Sequence, residues 1–298
     1  SAPKKIVYPQ GESDKALRTA QIVMDEQIGE PVLIGDEKTI RDKIKDLGLD
    51  LDDVTVIDPL KSKRLDVYAE EYYKKRQRHG IMRQDAARLM KQNNYFATMM
   101  VAMDDADGLV GITQNYYEEM LPALQVIPTK RPGQKAAALH ILVFKKDVYF
   151  LADTNALIDP TAEDLAYIAI ESAKIVRLFD MVPRVAMLSF SNFGSTDHPH
   201  ARKVREAVSL VKEKKPDLII DGEMQGDAAV VPEIIQENFP FSSLDGKANV
   251  LIFPELQSGN IAMNLMKRTG GAESIGPIQI GLSRPVHIIR SSASVEEI

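Results

Sequence analysis

Short apolar runs alternate with stretches of helical periodicity along this entire chain, and that alternation restricts the fold more than any other feature. Runs at 6–8, 31–35, 54–57 and 107–111 are separated by apolar residues three and four apart. The alternation resumes at 148–151, 185–188, 218–220, 250–253 and 275–282. Successive strands with a helix between them cannot close a hairpin, so they pair in a parallel or mixed sheet that helices cover on both faces. The expected class is α/β. At 298 residues the chain is long for one hydrophobic core, so two domains are expected, each with three α/β/α layers. The texture changes between Ile127-Pro128 and Pro132-Gly133. One domain is therefore drawn over 1–127 with 283–298, the final strand at 286–289 returning to it, and the other over 128–282.

The helical stretches vary in clarity. Residues 14–27 place Leu17, Ala20, Gln21, Met24 and Ile28 along one side, and shorter patterns cover 40–47, 65–78, 83–91 and 258–268. The clearest begins at Thr161. There Asp164 completes a capping box, and Leu165, Ile168, Ala169, Ser172, Ile175, Val176 and Phe179 form a stripe. Leu89, Met90, Met99, Met100 and Met103 read as core filler.

The densest polar loop follows the run at 185–188: Ser189, Ser191, Asn192, Gly194, Ser195 and Thr196. A helix then starts with Thr196 or Asp197 as cap and Pro199 in its first turn, burying Val204, Ala207, Val208 and Val211. Strand, small polar loop and helix can offer free N–H groups to an anion, or can simply be a tight turn. In an open α/β sheet ligands sit at the carboxyl ends of strands. Four such ends carry polar groups: Asp153, Thr154, Asn155 and Asp159; the 189–195 loop; Asp221, Gly222, Glu223, Gln225 and Asp227; and Glu255, Gln257, Gly259 and Asn260. Asp221, Glu223 and Asp227 read as helix caps and partners of Lys or Arg rather than a metal site. His198 and His200, and the isolated His140 and His287, read as surface histidines. No metal ligand set is drawn from them.

Composition removes several classes. There is no cysteine, so disulfides, thiolate zinc sites and a cysteine nucleophile are out. A net charge of −6 argues against nucleic acid as the main partner. No apolar run approaches the ~20 residues that span a bilayer, and no signal peptide is evident, so a soluble, cytoplasmic protein is expected. Ser1 stands where a methionine would, and the chain stops just after the capping box Ser294-x-x-Glu297. Both suggest a domain cut from a longer polypeptide.

The segments YPQGES, DGLVGIT, FLADTNALIDPTAEDLA, RVAMLSFSNFGS, PDLIIDGEMQGDAA, GKANVLIFPEL, SGNIAMNL and GPIQIGLSRPVH together resemble the phosphate acetyl/butyryltransferase family over essentially the full length. That resemblance implies two α/β domains with an interdomain cleft holding acyl-CoA, and a homodimer formed through domain two. Within the family, LSFSNFGS is similar to the transferase-like C-terminal domain of multidomain bacterial NADP-dependent malic enzymes. Active transferases carry Thr-Lys where this chain has Asn192-Phe193. The branch implies a regulatory acetyl-CoA-binding domain in a higher homo-oligomer. NADP and a divalent metal would act only in other domains of such an enzyme, which oxidatively decarboxylates malate to pyruvate.

The family's catalytic pattern tests that implication. After Pro285-Val286 transferases place Asn-Asp-Leu, a Ser-Arg pair, and an Asp six residues beyond that Arg. Here Ile288 replaces the first acidic residue, Arg290 stands at the Ser, Ser291 at the Arg and Glu297 at the Asp. Another basic position of the family holds Met120, and Arg76 remains at a third. The resemblance therefore implies a domain that is itself non-catalytic, with an active phosphate acyltransferase as the alternative. The expected ligand-binding residues are Asn155, Ser189, Asn192, Gly194, Ser195, Gln257, Asn260, Arg284 and Arg290.

Overall fold

The computed structural model describes residues 3–244 and 246–298. The chain divides into two compact units, Ser1–Lys130 with Leu282–Ile298, and Arg131–Gly281. The first unit starts with β1 (Lys5–Tyr8), α1 (Asp14–Asp25), β2 (Glu30–Ile34), α2 (Glu37–Asp46) and β3 (Thr55–Ile57). The Ser13 side chain caps α1 by accepting the Ala16 N–H. Helix α1 buries Ala16, Leu17, Ala20 and Val23. Ile28, expected on this stripe, is exposed because the helix ends at Asp25 and Gln27 turns the chain through a φ of 55°. Next come α3 (Leu65–Arg76), α4 (Arg83–Leu89), α5 (Asn93–Ala102), β4 (Gly108–Thr113) and α6 (Tyr116–Val126). Helices α1 and α2 close over a core of Tyr8, Leu17, Leu33, Ile40, Ile44 and Ile112. Among α3, α4, α5 and α6, Tyr68, Tyr72, Phe96, Met90, Met99 and Met120 are fully buried.

The second unit opens with an antiparallel pair, β5 (Ala137–Val143) and β6 (Val148–Ala152), followed by α7 (Ala162–Leu178), β7 (Arg184–Leu188) and α8 (Pro199–Lys214). It continues with β8 (Ile219–Met224), α9 (Gly226–Val230), α10 (Pro232–Asn238), β9 (Val250–Ile252), α11 (Leu256–Gly270) and β10 (Glu273–Ile280). The expected capping box on α7 is present: the Thr161 hydroxyl accepts the Asp164 N–H, and Asp164 accepts the Thr161 N–H. Phe179 falls off the expected stripe, exposed one residue past the helix end.

The six-stranded sheet runs β10-β5-β6-β9-β7-β8, with β6, β9, β7 and β8 parallel. Alternate strand residues divide cleanly between its faces. Phe150, Ala152, Val185, Met187 and Ile252 pack under α7 and α8, while Tyr149, Leu151, Ala186, Leu188 and Leu251 pack under α9, α10 and α11.

The last strand, β11 (Val286–Arg290), pairs in parallel with β4 in the first unit. That unit's sheet is thus fully parallel, in the order β11-β4-β1-β2-β3.

Candidate functional site

In the second unit, β9 lies between β6 and β7. The chain leaves β6 and β7 toward α7 and α8 on one face, and leaves β9 toward α11 on the other. Connections departing to opposite faces open a crevice at the strands' carboxyl ends. Gly259 lets α11 meet the loop after β6 there, since a Cβ at this position would stand 2.3 Å from the Asp153 carbonyl oxygen. Asn260 donates from Nδ2 to the Thr154 carbonyl at 3.2 Å.

Asp153 organises the loop: its carboxylate accepts N–H groups from Ala138, Asn155, Ala156 and Leu157 at 2.6–3.1 Å. Burial pushes its carboxyl above the ordinary value, against the pull of those four donors. Asn155 follows, and its Nδ2 is buried with no hydrogen-bond partner among the described residues. Gln257 is exposed in the first turn of α11, its N–H donated to the capping carboxylate of Glu255. The crevice therefore brings together Asn155, Asn260 and Gln257.

The 189–196 loop is spent differently. Glu223, fully buried at the end of β8, accepts the Gly194 N–H at 2.8 Å and the Ser191 hydroxyl at 2.9 Å. Arg205 of α8 closes on both of its carboxylate oxygens, at 2.9 and 3.1 Å. Burial works against the Glu223 charge, but Arg205, the Gly194 N–H and Ser191 outweigh it and hold the carboxyl below its usual range. The anion that this loop cradles is the protein's own carboxylate.

Asn192 and Gln225 join amide to amide. Asn192 Nδ2 donates to Gln225 Oε1 at 2.9 Å, and the Gln225 N–H donates to Asn192 Oδ1 at 2.7 Å. Ser195 accepts the Asn192 N–H, and the Ser189 N–H donates to the Met224 carbonyl. Asp221 pairs with Lys212 at 3.0 Å, and Asp227 accepts the Ala228 N–H at 2.8 Å. Two of the acidic trio thus have the expected Lys and Arg partners, and the third takes a backbone donor.

His198 and His200 are exposed, as expected, but the helix cap and the other two histidines need correcting. The cap of α8 is His198 rather than Thr196 or Asp197, its Nδ1 accepting the His200 N–H. His140 is buried against the Thr154 hydroxyl at 2.7 Å, not on the surface. His287 on β11 is half-buried, and loss of hydration lowers its pKa to about 4.

In the first unit, β1 leads to α1 and β4 to α6, so the carboxyl ends of β1, β4 and β11 form a second polar edge. Gln10 accepts the Ile112 N–H at 2.8 Å, and Lys15 donates to the carbonyls of Ser291 (2.5 Å) and Ala293. Arg290 is exposed at the end of β11, and the Ser291 N–H continues the ladder onto the Thr113 carbonyl at 2.9 Å. Arg284 precedes β11 at its other end, paired with Asp104 at 2.6 Å, so the two arginines are not brought together. Glu297 forms a reciprocal capping pair with Ser294.

Sequence reading missed Glu119. Among the described residues its Oε1 is buried without a partner, and burial raises its carboxyl above the usual range against a hydrogen bond from Gln10. Gly111 is the available signal, since a Cβ there would stand 3.1 Å from Glu119 Cγ. Arg76, at the end of α3, has its Nε buried and unpartnered among the described residues, whereas Met120 faces the core. Among the described residues no cluster of three metal-ligating side chains occurs, and no helix is long and apolar enough to cross a membrane.

A parallel sheet and a mixed sheet, each covered by helices and carrying polar groups at the carboxyl ends of its strands, define an α/β protein. More closely, the chain belongs to the phosphate acetyl/butaryl transferase family, whose model matches residues 1–298. It is 41% identical to a phosphate acetyltransferase of Thermoanaerobacterium thermosaccharolyticum, with 100% of this chain and 93% of that protein covered. It is 36% identical to an NADP-dependent malic enzyme of Escherichia coli over 100% of this chain, which spans 40% of that enzyme's length. A phosphotransacetylase structure from Streptococcus pyogenes superposes with a TM-score of 0.93 at 36% identity, covering 99% of this chain and 90% of that one.

Proposed function

We propose that this chain binds acetyl-CoA without transferring its acyl group, as the regulatory transferase-like unit of an NADP-dependent malic enzyme. The observation that carries the reading is the exchange at the end of β11. Transferases of the family place an arginine where Ser291 stands, and here the guanidinium sits one residue earlier, on Arg290. The charge therefore leaves from the last residue of β11 rather than from the turn residue after it, one position away from the one it would serve.

A cation that neutralises charge developing during acyl transfer supplies about 3 kcal/mol of transition-state stabilisation. Serine has no charge to replace it. Met120, buried where the family carries a basic residue, removes a further positive charge from that chemistry. Binding needs less. A ligand that favours one conformation of the protein shifts its population by the difference in affinity, which is what regulation requires.

A second reading, an active phosphate acetyltransferase, is favoured by the near end-to-end match to a relative of that name, whereas the malic enzyme match covers 40% of its partner. One experiment separates the two. Calorimetry with acetyl-CoA is expected to show saturable binding, while acetyl-CoA with phosphate is expected to release no CoA above background. CoA release at about 1 s⁻¹ or faster, lost in Arg290→Ala, would establish the transferase. Absence of acetyl-CoA binding would remove the regulatory reading.

A further inference from the structure

We propose a second small-ligand site in the unit Arg131–Gly281, at the opposite ends of its strands from the crevice, that takes a nucleotide-sized organic phosphate. Helices α7 and α8 finish side by side over the residues that lead into β8. Between them lies a cavity of about 360 Å³, lined by Lys174 and Arg177 from α7 and by Lys214, Lys215, Asp217 and Leu218. That volume falls in the range of small-molecule pockets.

The charge on its walls is lopsided. Four cations face one lining carboxylate, in a protein whose net charge is −6. Lys174 is held by the buried Glu171, and Glu163 acts on Lys214 from a distance. Arg177 and Lys215 have no ion-pair partner among the described residues. Cations at helix C-termini also complement the helix dipoles, which contribute roughly half a negative charge each. Two such ends, with Asp217 and Glu171, still leave the four cations in excess.

The chemistry of the lining selects the ligand. Arg177 offers a planar fork suited to two phosphate oxygens, and the lysines add point charges around it. The floor is apolar, with Leu218 and Ala173 buried. A bare inorganic anion would satisfy the cations and leave that floor wet. A phosphate carrying a flat organic group satisfies both.

The test is calorimetric titration of the full chain with pyrophosphate and, separately, with ADP. Saturable binding of both is expected, with ADP the tighter because it also covers the floor. Arg177→Glu with Lys215→Glu is expected to weaken both by about tenfold or more, since each lost charge-assisted contact is worth more than 1 kcal/mol. Lys63→Glu with Lys91→Glu, exposed on the other unit, makes the same change in net charge and is expected to leave binding as it was. The neutral Arg177→Gln supplies a milder loss should the double reversal unfold the protein.

Acetyl-CoA affinity should stay unchanged in the double reversal, which keeps this site distinguishable from the proposed acetyl-CoA site. The proposal fails if neither probe binds the unmodified chain at millimolar concentration. It fails equally if the α7–α8 reversal leaves binding intact or weakens it no more than the distant pair does. Pyrophosphate binding as tightly as ADP would overturn the organic-phosphate assignment.

Discussion

The 189–196 loop of the second unit and the polar edge of the first have been put to opposite uses. In the second unit the hydroxyls and amides of the 189–196 loop are bonded to one another and to Glu223, which sits inside the loop like a bound ligand. In the first unit Arg290 is exposed, and Arg76 Nε and Glu119 Oε1 are buried without partners among the described residues, as Asn155 Nδ2 is in the second unit's crevice. Richness in polar residues therefore says little about binding. A satisfied network is scaffold, and groups left unsatisfied are the ones available to a ligand.

The strongest way to break this contrast is to remove the internal anion. Glu223→Ala strands Ser191, the Gly194 N–H and Arg205, and is expected to cost about 3 kcal/mol of stability, read as a shifted urea midpoint. A loss below ~1 kcal/mol would show the loop to be loosely held and open to ligand.

Gly259→Ala comes next. Its methyl group would collide with the Asp153 carbonyl, so about 2 kcal/mol is expected. Weaker binding of acetyl-CoA should follow if the crevice at β6 and β9 is the ligand's place.

Acid sharpens the contrast through two groups. His287 titrates near pH 4 in the fold and near 6.5 when unfolded, so the unfolded chain binds more protons between those values. Its stabilising contribution is complete above pH 6.5 and falls away as the pH drops toward 4. Glu223, with its carboxyl depressed, contributes above the ordinary carboxylate value and loses that only at lower pH. The first unit is thus expected to loosen before the second on acidification, followed by hydrogen exchange at pH 6.5 and pH 5. His287→Gln should flatten the earlier phase.

The smallest effect is expected from Arg290→Ala. An exposed side chain at a strand end should change stability by less than about 0.5 kcal/mol. A drop in acetyl-CoA affinity with stability unchanged would mark Arg290 as a ligand contact.

Much of the fold was legible because its elements carry local signals. The Thr161–Asp164 capping box and the stripe Val204, Ala207, Val208 and Val211 need only neighbours in sequence to be read. Helices α5 and α6 were not. Residues 95–101 of α5 are all buried, so no polar face reveals a period, and Pro122 lies inside α6, where proline normally argues against a helix. The strand β5 went unread as well, in a run, Ala137–Val143, buried at nearly every position. At the candidate site, sequence supplied the polar residues of each strand end. It could not show that Glu223, about thirty positions downstream, fills the 189–196 loop, because that depends on β7 and β8 pairing.

The placement of β11 bears on how the molecule comes into being. During synthesis, β1 to β4 emerge first, but their outermost partner arrives only after all of Arg131–Gly281 has been made. The nascent first unit must wait with β4 as a bare hydrogen-bonding rim, the kind of surface that recruits other chains. Substitutions that slow the maturation of the inserted unit should thus betray themselves as aggregation of the unit that encloses it in sequence.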